Sequence, residues 1–499
     1  MFSHTHFVGA GINGLGNLGV MPVRLHSDEE GEDEEAMPLQ KWVYREEEGN
    51  GVTFNTLVWW SQFSKDAETA SPGKYEVYLD TPAVEVSLLA TGTLTAIHQY
   101  HFSPSAVPTQ RYTPAVVVDI CHAAQVSPGV TRLRNSNCHN ASLTLAADGQ
   151  SFTASLLGDK DIWMYFYGEF TSPQGAPRRA KHWTVCSNAD EDAEGITDED
   201  FSCEINTLQG ESDHGILFSR VSFGAVEGQQ SAEVELRMGL SFISTEMAHN
   251  NYLADFPITS NSSPAPNDFQ QRSEQTSKKW CETLDFLTVT PLEGDADLVD
   301  MLYSASYRAQ MTPTIYTEAG GLYLGLDKAV HNATQERHET YGTGDGRGNE
   351  KVFEFYSDLS FWDTFRGAHP WFLLTDESLA VGVLRSVSEM TQQQNAFPRW
   401  VLANTDISCM VGVHGGVLGG FVCCRDECIL TSKLTGIHVL FSVLSCSCLS
   451  VCLPLSPSLR FSPSLPLPLS LYVCVCVCVC FQELWRWKLR RAAWAPSST

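Results

Sequence analysis

KYEVYLDTPAVEVSLLATGTLTAIHQYHF, Lys74 to Phe102, sets β-branched and aromatic residues in alternation with polar ones, and turn residues break the run into pieces. A side-chain period of two is the pattern of strands with one buried face. DIWMYFYGEF (Asp161 to Phe170) and AEVELRMGLSFIS (Ala232 to Ser244) repeat it further on. From about residue 40 to 245 there are many such segments with no convincing helix between them, which predicts an all-β sandwich domain over residues 1–250. Two acidic runs interrupt it, DEEGEDEE (Asp28 to Glu35) and DEDAEGITDED (Asp190 to Asp200). Neither has EF-hand spacing, so both read as solvated loops.

The period changes after the Pro/Ser/Asn-rich NSSPAPNDFQ (Asn261 to Gln270). Residues 251–285 read as linker and helix, with helix expected over 268–289. In ADLVDMLYSASYRAQM, Leu298, Met301, Leu302, Ala305 and Ala309 share one helical face. SDLSFWDTFRGAHPWFLL (Ser357 to Leu374) and ESLAVGVLRSVSEMTQQQ (Glu377 to Gln394) are expected to be helices too. Residues 286–414 are thus expected to be mainly helical, with too few helices to close a helical barrel.

The chain has 499 residues, 43% hydrophobic and 18% charged, enough for a large core and for two to four domains. Lys+Arg number 32 against 59 Asp+Glu, a formal charge of −27, which disfavours nucleic acid or an anionic membrane as partner. Composition shifts near the end. Ten of the 16 cysteines lie between Cys423 and Cys480. Val473 to Cys480 is a strict Val-Cys alternation, as a GTGTGT repeat would encode, and the Ser/Leu/Pro stretch before it is what a CT-rich tract encodes. Residues 415–499 are therefore read as an irregular low-complexity tail, translated intron over about 415–481. A membrane segment at Leu465 to Phe481 fits poorly because of its prolines and the Val-Cys run. A metal module lacks paired CxxC motifs. The opening FSHTHFVGAGINGLGNLG has no basic or apolar leader region and reads as the middle of a domain, so both ends are expected to be incomplete.

Three clusters carry candidate chemistry. YSDLSFWDTFRGAHPW (Tyr356 to Trp371) places Trp362 and Asp363 side by side, three residues before Arg366. Sugar sites use this mixture, a flat apolar face for ring C–H groups and charged partners for hydroxyls; an Asp-x-x-Arg pair is also a common surface ion pair. SHTHFVGAG (Ser3 to Gly11) puts His4 and His6 on alternate positions, facing a metal, a substrate or simply the interior. PRWVLANTDISCMVGVHG (Pro398 to Gly415) holds Arg399, Asp406 and His414.

These segments, with YEVYLDTP, GLSFIS and GGLYLGLDKAVH, resemble family 92 of the glycoside hydrolases in the same order along the chain, over roughly residues 1–414. The resemblance implies calcium-dependent, inverting α-mannosidases that process N-glycans and other mannose-containing glycans. The implied architecture is α+β multidomain: a β-sandwich followed by an (α/α)6 barrel, here incomplete, with the site at their interface. By residue, the Trp-Asp of the family's helix falls on Trp362 and Asp363, and the resemblance implies that the aspartate holds the mannose being cleaved. Arg399, Trp400 and His414 match the next segment, and His4 and His6 match the loop that the sandwich contributes near the site. The family usually has Gly-Asn-Glu where this chain has Asn404, Thr405 and Asp406, so no role is carried onto these three.

The family's acid, base and calcium ligands lie in later segments, marked by Gly-Asn-Glu-Pro and by Gly-Asn-Asp-Asp followed by Gly-Gln-Met-Ser-Ala-Trp, and neither occurs here. Inverting hydrolysis needs two carboxyl groups about 6.5–9.5 Å apart, and calcium needs six to eight oxygen ligands. The expectation is a mannosidase gene whose present chain binds sugar without turnover. The alternatives are a non-catalytic carbohydrate-binding protein and a misfolding fragment. Sequons at Asn140, Asn261 and Asn332 suit a secretory protein, but the compartment stays open.

Overall fold

The computed structural model describes residues 2–3, 17–26, 42–43, 53–54, 61–105, 110–120, 139–147, 149–172, 179–184, 204–205, 209–212, 217–257, 268–286, 289, 296–333, 354–412 and 414–415. His4, His6, both acidic runs, the Asn261 sequon and the tail beyond residue 415 lie outside the described residues. The chain divides into two compact units, 1–331 with 403–405, and 332–402 with 406–499.

The first unit is built on two antiparallel sheets. The larger has nine strands in the spatial order Gln209–Ser212, His139–Leu145, Ser151–Leu157, Trp163–Thr171, Ala232–Ser241, Thr95–Phe102, Val84–Ala90, Lys74–Leu79 and Glu68–Ser71. The smaller runs Phe2–Ser3, Gly19–His26, Tyr112–Asp119, Leu217–Ser222, Arg179–Thr184 and Glu204–Ile205. Alternation decides which face is buried: along Ser151–Leu157 every second residue is buried, and Trp163–Thr171 repeats the pattern. Phe152, Phe166, Phe170, Tyr100 and Phe102 from the larger sheet are at most 1% exposed, as are Val116, Val117, Val118 and Phe223 from the smaller sheet and its flank. Phe170 meets Phe223 edge-on at 5.9 Å between ring centroids, a contact across the sandwich.

The outer face of the larger sheet is also covered in part, by a helix outside the expected helical region. α1 (Thr245–Asp255) starts at Ser244, whose hydroxyl accepts from the Met247 N–H. It lies so close to the Ala232–Ser241 strand that a Cβ at Gly239 would come within 2.3 Å of the Ala248 carbonyl oxygen. Tyr252 and Phe256 cluster there with Ile97. α2 (Asp268–Leu284) is tied to the same region: Arg272 bonds both Asp255 and Asp268, while Arg237 bonds Asp268. Both guanidiniums lie on the Phe256 ring, at 5.0 Å for Arg237 and 4.7 Å for Arg272.

α3 (Ala296–Ala309) forms where its periodicity predicts, and Trp280 of α2 meets its Tyr307 at 4.8 Å. The shared face behaves differently from a core face, since Leu298 and Met301 are each 59% exposed. After α3 the chain runs in short strands, Thr314–Ile315, Leu322–Leu324 and Val330–Asn332, in place of the expected helix.

In the second unit, the segment expected as one helix over Ser357 to Leu374 is a strand, Leu359–Ser360, and two helices, α4 (Phe361–Thr364) and α5 (Ala368–Thr375). Pro370 has no N–H to give the Arg366 carbonyl, so a helix entering from α4 cannot run through and α5 restarts after Gly367. α6 (Glu377–Gln394) takes the expected bounds, capped by the Asp376 carboxylate on the Leu379 N–H and closed by Asn395 at φ 54°. Phe372, Leu373 and Ala380 form the contact between α5 and α6. Among the described residues no helix is long and apolar enough to cross a membrane.

Candidate functional site

Strand pairing brings the first and third sequence clusters, Tyr356–Trp371 and Pro398–Gly415, together. Leu359–Ser360 pairs antiparallel with Trp400–Leu402, placing Leu359 opposite Val401 and Ser360 opposite Trp400. α4, carrying Trp362 and Asp363, therefore begins beside the Arg399–Trp400 backbone. On the far arm, the Asp406 carboxylate accepts from the N–H groups of Arg399 (3.1 Å), Trp400 (3.2 Å) and Ser408 (2.8 Å), with the Gln394 amide at 3.3 Å. Asp406 thus organises the hairpin that presents Arg399, and it retains little capacity to accept from a ligand.

Asp363 is exposed and takes a hydrogen bond from the Ser360 hydroxyl. Behind it runs a relay. Thr364 donates its single hydroxyl proton to the Ser360 carbonyl at 2.9 Å, so the 2.9 Å contact between Thr364 Oγ1 and His369 Nε2 requires the proton on His369 Nε2. His369 is 6% exposed, stacked on Phe361 at 6.0 Å and edge-on to Phe372 at 5.9 Å. Burial pushes its pKa down from 6.5 to about 4, so the ring is neutral near pH 7.

Trp362 is 43% exposed beside Asp363. His414 lies tilted against Phe365 at 4.3 Å between ring centroids, and the Arg366 guanidinium lies 4.9 Å from the same ring. Gly412, at φ 91°, leaves the room: a Cβ there would come within 2.5 Å of the imidazole. Cys409 lies in the field of this group, its thiol pushed up by burial and by Asp406 and Asp363, with Arg399 opposing.

Trp362, Asp363, Arg399 and His414 are therefore neighbours in one unit, an exposed aromatic face with a fixed carboxylate, a guanidinium and an imidazole. Sequence reading did not single out Ser360, Thr364 or His369. The Ser-x-x-Asp spacing of Ser360 and Asp363 was the available signal, whereas the Thr364–His369 bond has no helical spacing that marks it. Among the described residues no three His, Cys, Asp or Glu side chains converge as metal ligands, so the described residues by themselves do not form a calcium cage.

A model of the glycosyl hydrolase family 92 N-terminal domain matches residues 1–241, and one of the family 92 catalytic domain matches residues 259–418. Among solved structures, a family GH92 α-mannosidase from Bacteroides thetaiotaomicron has 19% identity and a TM-score of 0.59, covering 85% of this chain and 47% of its own. The same enzyme in complex with mannoimidazole gives 18% identity, a TM-score of 0.58, and coverage of 85% and 46%. An inverting GH92 mannosidase from Bacteroides thetaiotaomicron VPI-5482 has 20% identity, a TM-score of 0.53, and coverage of 81% and 43%. At these identities the likeness shows the fold, and the chain spans about half the length of the solved structures it matches. No curated protein matches it.

Proposed function

Because this chain belongs to glycosyl hydrolase family 92, we propose that the protein is an α-mannosidase-type glycosidase acting on mannose-containing oligosaccharides, N-glycans among them, by inverting hydrolysis. The observation that carries the reading is the Trp362–Asp363 pair on α4, with Asp363 held by Ser360 while most of its acceptor capacity faces solvent. Trp362 offers an apolar face to a pyranose ring, Asp363 accepts from its hydroxyls, and Arg399 and His414 border the same ground. His4 and His6 join the proposal through the family alone. So do an (α/α)6 barrel begun by the helical segment, and calcium as the cofactor.

In this chain the chemistry stops at binding. Inverting hydrolysis needs a second carboxyl group free to act on water or the leaving oxygen. Asp406, in the partner segment, is committed to backbone N–H groups. The motifs that carry the acid and base elsewhere in the family are absent from the sequence. The same observation favours a second reading, a carbohydrate-binding protein without turnover.

The test is calorimetric titration of the full chain with mannoimidazole, alongside an assay on α-1,2-mannobiose with calcium. Binding that falls at least tenfold in Asp363→Asn, with no hydrolysis, is expected. Hydrolysis by this chain would overturn its inactivity, and binding untouched by Asp363→Asn would overturn the site.

A further inference from the structure

We propose that Asn140 is the acceptor of an N-linked oligosaccharide and that Asn332, within a sequon of the same form, is not; this does not rest on the glycosidase reading. The sequence alone gives Asn140-Ala-Ser and Asn332-Ala-Thr equal standing. The fold separates them. In the strand His139–Leu145, Ala141, Leu143 and Leu145 point into the core, whereas Asn140 is exposed and shares its face with Ser142 and Thr144. Register against Ser151–Leu157 shifts between His139 and Ser142, and Asn140 sits at that irregularity with φ 47°. Asparagine tolerates the left-handed region better than most residues, and a bulged position re-aims its side chain away from the ladder.

Asn332 is placed otherwise. It is half-buried, already engaged with a partner, and followed by Ala333 at 0% exposure. A bulky, hydrated glycan fits an exposed position and is opposed at a half-buried one whose neighbour is fully buried.

The donor class is a preassembled oligosaccharide on a lipid pyrophosphate. The Asn140 Nδ2–C1 bond forms as the C1–oxygen bond to pyrophosphate breaks. The amide gives up one proton, the lipid pyrophosphate leaves, and no oxidant or reductant is needed. The glycan would stand at the end of the pairing of His139–Leu145 with the edge strand Gln209–Ser212, one residue before the first paired position, Ala141 opposite Ser212. Covering an edge in this way discourages strand-to-strand association.

The test uses protein purified from its source cells, digested with trypsin and treated with peptide-N-glycosidase in heavy-oxygen water. The peptide from Asn135 to Lys160 should carry heavy-oxygen aspartate at position 140, and the peptide from Ala329 to Arg337 should be recovered unmodified. An Asn135–Lys160 peptide recovered unmodified, in whatever compartment, overturns the proposal, and so does a label at Asn332. In a eukaryotic host with the chain directed into the secretory pathway, Asn140→Gln and Ser142→Ala should each lose one glycan. Retention of the full glycan set by Asn140→Gln likewise overturns it.

Discussion

Glu318 and Asp363 mark two regions that use a carboxylate in opposite ways. Glu318 is 5% exposed in the sandwich unit, where it accepts from the Ser241 hydroxyl at 2.6 Å, the Phe242 N–H at 2.8 Å and the Asn251 amide at 3.0 Å. Asn251, on α1, also accepts from the Ala319 N–H, so strand, helix and turn close on one buried acid. Asp363 takes its hydrogen bond from Ser360 and is otherwise open to solvent. A carboxylate saturated by the protein is structural, and one held in place but left unsaturated is available to a ligand. Asp406 repeats the first case within the second unit, which is why it drops out of the proposed chemistry.

The largest test of this contrast is Glu318→Ala, which removes the acceptor of the Ser241 hydroxyl, of the Phe242 N–H and of one N–H of the Asn251 amide. It should destabilise the sandwich unit by roughly 3 kcal/mol in urea unfolding. A loss no greater than that of an ordinary surface substitution would break the comparison.

Acid pH separates the two regions by sign. Burial raises the Glu318 pKa above 4.5 despite its hydrogen bonds. Its contribution is therefore full below pH 4.5 and declines as pH rises through the folded value. His369 runs the other way: depressed from 6.5 to about 4, it contributes fully above pH 6.5 and loses that contribution as pH falls toward 4. That difference is worth ~3 kcal/mol at most. Hydrogen exchange should show α5 loosening on acidification across this window, and His369→Gln should flatten the dependence. Matching slopes in α1 and α5 would refute the assignment.

A smaller effect is expected at the relay. Thr364→Val strands the His369 N–H and should lower stability by roughly 1–2 kcal/mol. It should also weaken mannoimidazole binding by loosening the Ser360–Asp363 turn, and Thr364→Ser should restore both. Smallest for stability is Asp363→Asn, whose unfolding midpoint should match the parent while its sugar affinity falls. A shifted midpoint would mean that Asp363 is structural after all.

Much of the fold was legible locally. Period-two alternation marks both strands of the Ser151–Leu157 and Trp163–Thr171 pair, and α6 takes the bounds its pattern predicts. α1 was missed because its buried face includes Asn251 beside Ala248 and Tyr252, polar burial that no hydrophobic stripe announces. The stripe on α3 lies on one helical face as its periodicity predicts, yet Leu298 and Met301 stay exposed, because periodicity reports that a face is apolar and not what covers it. At the candidate site, motif order pointed to Trp362, Asp363, Arg399 and His414, while Ser360, Thr364 and His369 emerge from bonding geometry.

By itself the sequence determined where the backbone alternates, where helices start and stop, and which segments resemble family 92, since each depends on neighbours along the chain. Tertiary structure decided that Ser360 lies opposite Trp400, that Glu318 is enclosed and Asp363 open, and that Asn140 is exposed while Asn332 is half-buried. Solvation and hydrogen-bond partners come from residues distant in sequence, and they determine what an ionisable or modifiable group can do.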